Sequence, residues 1–141
     1  MNKIIFILFV LIDGVLLFRG FLQTEFSDEN IEFWLACEDY KSTDKEQKLQ
    51  LKAKKIYSEY VVIGSPREVN LDIQLRMYTA DRVSETPLTV DIFERAQKRI
   101  QALMEKDSYP RFLESDLYKN LCNSFSSGSN TSSSSNGNLA K

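Results

Sequence analysis

The chain has 141 residues, of which 43% are hydrophobic and 27% charged, the size and make-up of one soluble globular domain. It contains no histidine and only two cysteines, Cys37 and Cys122, which excludes Ser-His-Asp and Cys-His nucleophile systems, histidine-ligated zinc, all-cysteine metal sites and a disulfide framework. A net charge of −2 gives no overall positive field with which to hold nucleic acid.

The chain opens with Lys3 and a nine-residue apolar run, Ile4 to Ile12, ahead of Asp13 and Gly14. That is the outline of a signal-peptide h-region, but Ile12-Asp13-Gly14 makes a poor cleavage site, and about 20 apolar residues are needed to span a membrane. A strongly apolar core segment and a signal or membrane anchor both fit. The next polar cluster, Glu25-Phe26-Ser27-Asp28-Glu29-Asn30, begins a window from 25 to 39 with six acids and no base. Ser27 is expected to N-cap a helix whose first turn carries Asp28 and Glu29 and whose apolar face carries Ile31, Trp34 and Leu35. Glu29 and Glu32 fall together near the start of that helix, an arrangement suited to capping and a solvated acidic face rather than to paired-carboxylate catalysis, and no EF-hand alternation is present.

Leu49, Ala53, Ile56, Tyr57, Tyr60 and Val61 form one helical stripe that Gly64-Ser65-Pro66 stops. Lys41, Lys48, Lys52, Lys54 and Lys55 lie on or just before it and read as its charged outer face. A helix is expected from about Leu71 to Val83 with Asn70 as its cap. Phe93, Ala96, Ile100, Leu103 and Met104 make a second stripe, running to about Lys106. Shorter helices are expected from Ser108 to Leu113 and from Asp116 to Cys122, the latter capped by Ser115. Trp34, Phe33, Tyr40 and Cys37 sit at core spacing. Residues 124–141 hold eight serines in eighteen positions and are expected to be a disordered tail. No period-two strand pattern, glycine-rich phosphate loop or internal repeat occurs, so the fold expected is all-α and the function that of an interaction domain.

The run Glu25 to Tyr40 closely resembles the signature of regulator of G-protein signalling (RGS) domains. So do Lys52-Ala53-Lys54-Lys55-Ile56-Tyr57, Arg67 to Asp72, Ala96-Gln97-Lys98-Arg99-Ile100 and Leu103 to Leu113, five blocks in the family's order. The resemblance implies a multi-helix bundle of two helical subdomains over residues 14–123. It implies no enzyme and no cofactor or metal, but a cytoplasmic GTPase activator of Gα subunits of heterotrimeric G proteins, GTP-bound and of the Gi or Gq class, with no obligate oligomer. Because Gα carries its own arginine, an activator need only fit the switch loops in their transition-state arrangement. The resemblance assigns Glu25, Ser27, Glu29 and Asn30 to a first contact with those loops, Asn70 to a second, and Leu103, Asp107, Ser108 and Arg111 to a third. Family domains carry further helices ahead of the glycine that Gly14 resembles; residues 1–13 offer only an apolar replacement, so the N-terminal part is expected to be incomplete. The alternative is a membrane-tethered helical adaptor with little activating ability, attached at the inner face of the plasma membrane.

Overall fold

The structure is a computed structural model and describes residues 14–129. The apolar run read as anchor or core substitute, and most of the serine-rich segment, lie outside the described residues. Among those described, every regular element is a helix: α1 (Gly14–Thr24), α2 (Glu29–Lys41), α3 (Glu46–Ile56), α4 (Ile73–Ser84), α5 (Glu94–Leu103), α6 (Tyr109–Glu114) and α7 (Asp116–Ser129). A π-turn, Tyr57–Val61, extends α3, and a second, Met104–Ser108, joins α5 to α6 without a break.

Two groups of helices pack together. In the larger, α2 lies against α3 and α5, and α4 against α5 and the first π-turn; in the smaller, α1 lies against α6 and α7. Both apolar stripes face inward as their spacing dictates, with Leu49, Ala53, Ile56, Tyr60 and Val61 buried from one, and Phe93, Ala96, Ile100 and Met104 from the other. On helix α2 the buried Ile31, Phe33, Trp34, Cys37 and Tyr40 spread over about half of the circumference, with Leu35 and Ala36 partly buried beyond them. Phe33 packs on Tyr60 at 5.6 Å between ring centroids and Tyr40 meets Phe93 edge-on at 5.2 Å. The smaller group is held by aromatic contacts around Phe112, whose ring lies 5.5 Å from Phe18, 5.6 Å from Phe21 and 5.4 Å from Tyr118.

Two glutamines absent from the apolar stripe are buried on α5. Gln101 Oε1 accepts from Trp34 Nε1 at 3.0 Å and its Nε2 donates to Glu105 at 3.0 Å, while Gln97 Nε2 donates to Trp34 O and to Glu38 at 3.3 and 2.6 Å. These bonds satisfy the indole N–H that a buried tryptophan brings with it and fix the register of α2 on α5.

Three local expectations are corrected. Ser27 does not cap α2: Asp28 holds the cap position without a side-chain cap bond, its carboxylate drawn instead to Arg67 Nη2 at 3.0 Å. Asn70 does not cap α4: Asp72 does, accepting from the Leu75 N–H at 2.8 Å, and the helix begins at Ile73. Helix α7 runs through residues 124–129, which composition assigns to the tail; Ser124 and Ser126 donate hydroxyl bonds to the carbonyls of Asn120 and Cys122, four residues back, so their hydroxyls find partners within the helix. Ser115 does cap α7, its Oγ accepting from the Tyr118 N–H at 3.3 Å.

Candidate functional site

The loop between α1 and α2 is built by the way α1 ends. The Ser27 N–H returns to Leu22 O at 2.9 Å and the Phe26 N–H to Gln23 O at 3.2 Å, the paired bonds of a Schellman cap. The residue that must be left-handed in such a cap is Phe26, at φ 56°, where glycine is the usual occupant. Its ring is 92% exposed, so the strained backbone displays an aromatic side chain to solvent rather than packing one. Ser27 therefore belongs to the end of α1, and its hydroxyl is buried without a hydrogen-bond partner.

On one side of this loop the first sequence block meets the last. Glu25 accepts from Arg111 Nε and Nη2 at 3.0 and 2.7 Å, a bidentate pair across 86 residues, and Arg111 Nη1 also reaches Asp107. The hydrogen bond to Glu25, together with the charges of Glu25 and Asp107, pushes the Arg111 guanidinium well above the ordinary arginine value, so it is permanently charged. Leu103 is partly buried against the core one helical turn before Asp107, whereas Ser108 is only 5% exposed and lies beneath the surface. Leu103, Asp107 and Arg111 thus follow one edge of the continuous α5–α6 rod.

On the other side, Glu29 and Asn30 line a depression of about 340 Å³ with Glu68, Val69, Asn70 and Arg76. Asn70 is exposed at the centre of a three-residue turn closed by the Leu71 N–H on Val69 O at 3.0 Å. The loop carrying it is tied to the first π-turn, with the Arg67 N–H on Glu59 O and the Val69 N–H on Tyr60 O, both at 3.0 Å. Arg67 is held charged above its usual range, first by its hydrogen bond to Asp28, and so locks this loop to the start of α2.

Residues 25–30 connect the two clusters along the chain, so the nine residues assigned by resemblance fall into two groups bridged by one loop, with Ser108 and the Ser27 hydroxyl buried. The face is acidic: Glu25, Glu29, Glu68 and Asp107 contribute to it, while Arg67, Arg76 and Arg111 each pair with an acid. No group of three or more metal-ligating side chains occurs among the described residues. Sequence reasoning missed Phe26, whose only signal is a large aromatic inside a polar loop, and Asp28 and Arg67, whose pairing joins distant blocks.

Comparison with known proteins bears on this arrangement. A profile of the regulator of G protein signaling domain matches residues 8–121, beginning ahead of Gly14. The chain is 53% identical over 108 residues to regulator of G-protein signaling 8 of Rattus norvegicus, and equally to the proteins of that name from Mus musculus and Homo sapiens. Each alignment covers 77% of this chain and 59% of the relative, so the chain spans well under two thirds of their length. A profile match over residues 8–121, most of the chain, together with 53% identity over 108 residues, establishes that the chain belongs to the RGS domain family.

Proposed function

We propose that the chain binds the Gα subunit of heterotrimeric G proteins in the cytoplasm and speeds its hydrolysis of GTP, contributing no catalytic group of its own. The observation that carries this reading is the Glu25–Arg111–Asp107 network, which draws the first and last resemblance blocks onto one face beside the Asn70 depression. Such a face acts by complementarity. Exposed carboxylates accept hydrogen bonds from backbone N–H groups of the partner's switch loops, and the Asn70 amide both donates and accepts. Contacts that form only with the transition-state arrangement of those loops lower the barrier, and about 2.7 kcal/mol of such preference gives a hundredfold acceleration. Phe26 adds an exposed ring on the loop that joins the two groups.

Single-turnover GTP hydrolysis by a Gi-class and a Gq-class Gα, with and without the chain, tests the reading. Acceleration is expected, together with tighter binding to Gα held in a transition-state-like form; absence of both ends the proposal. Asn70→Ala should lower the acceleration about tenfold or more, as loss of a transition-state contact does, with the helical circular-dichroism signal unchanged because Asp72 caps α4.

A further inference from the structure

Asn70 stands on a loop, yet its neighbours are held as firmly as a core residue's, and the holding group is one side chain. Arg76, in the first turn of α4, donates from Nη2 to Val69 O at 3.2 Å and to Leu71 O at 3.0 Å, the carbonyls on either side of Asn70. Its Nη1 donates to Val61 O at the end of the first π-turn and lies 3.5 Å from the Glu68 carboxylate. The side chain is only 12% exposed. Its own backbone N–H is bonded to Asp72 O at 3.0 Å, and Asp72 caps the helix, so the stem from which the guanidinium reaches is itself fixed.

We infer that Arg76 is the positioning residue for Asn70: its guanidinium clamps the two carbonyls flanking Asn70, so that the amide side chain is aimed outward before any partner arrives. The role rests on the reading of Asn70 as a partner contact. Free turns of this size interconvert readily, and a contact that must form in one geometry gains when that geometry is set in advance. Only a planar, multiply donating cation suits the task. One Nη serves both flanking carbonyls while the other reaches a third element, a fixed fork that the point charge of lysine does not reproduce.

The test is a double-mutant cycle on GTP hydrolysis by Gα. Arg76→Lys is expected to lower the acceleration on the order of tenfold when Asn70 is present, but by less than about twofold in an Asn70→Ala background, because a residue that acts through Asn70 has nothing left to position. Equal losses in the two backgrounds, or undiminished acceleration by Arg76→Lys, overturn the positioning role while leaving the function standing. No acceleration by the unaltered chain overturns the functional reading instead. Should Arg76→Lys fail to fold, Arg76→Gln takes its place in the same cycle, and the same two outcomes decide the clamp.

Discussion

The left-handed Phe26 makes a stability prediction whose sign runs against the usual outcome of truncating an aromatic residue. An L-residue in this conformation costs roughly 1–2 kcal/mol relative to its preferred regions, and glycine avoids that cost. Glycine also gives the unfolded chain more freedom, which offsets about 0.4–1 kcal/mol of the gain. The remaining term, loss of side-chain burial, is small because the ring is 92% exposed. Phe26→Gly is therefore expected to stabilise the fold by about 0.5–1 kcal/mol, a rise of roughly 2–5 °C in Tm for a domain of this size. Phe26→Ala keeps the Cβ and should show no such gain. Urea unfolding can be followed through Trp34, the one tryptophan of the chain, which is 3% exposed in the core. The same variant should weaken Gα activation through loss of the ring, so stability rises as function falls. Destabilisation by Phe26→Gly, or equal stabilisation by glycine and alanine, would refute the assignment of strain to this cap.

Three further outcomes follow. Arg111→Ala should cost about 1 kcal/mol or less in chemical denaturation, since its ion pairs are surface-exposed and screened, yet reduce Gα activation about tenfold; an equal loss of both would return the residue to a purely structural role. At pH 8 a thiol reagent should modify Cys122 rapidly and Cys37 only on unfolding, because burial pushes the Cys37 thiol far above its ordinary value. The Asp91 carboxyl is held below its ordinary value, first by the Thr89 hydroxyl and also by Arg82, so its contribution is complete above about pH 4 and is lost as pH falls through the lower folded value. With no histidine in the chain, melting temperature should be level from about pH 5.5 to 7 and decline only on further acidification.

What the residue pattern discloses, and what it conceals, follows from the reach of each interaction. The stripes of α3 and α5 are visible because burial imposes helical spacing, and Ser115 is visible because a cap acts within three residues. Ser27 and Asn70 are equally good caps by composition, but Asp28 is committed to Arg67 and Asp72 lies closer to its helix, contests settled by tertiary contact and by position. Five blocks in order point to the acidic face, yet its assembly depends on Glu25 reaching Arg111 across 86 residues, which no local pattern encodes. The clamp made by Arg76 leaves no trace in sequence, since the groups it holds on either side of Asn70 are backbone carbonyls that every residue possesses. The π-turns are silent for a related reason: each adds a residue without changing which faces are apolar.

That spare residue has a consequence for how the rod from Glu94 to Glu114 tolerates changes in length. Elsewhere in a helix, deleting one residue turns everything beyond it by about 100° and drags apolar side chains out of the interior. Within Met104–Ser108 the deletion would convert a π-turn to ordinary helical winding, leaving Ile100 before it and Phe112 after it in their original phase. The spacing that links Leu103, Asp107 and Arg111 would not survive, because the surplus lies among them. A single-codon loss there would yield a well-folded chain with a rearranged edge, a change the interior forgives and the partner face does not.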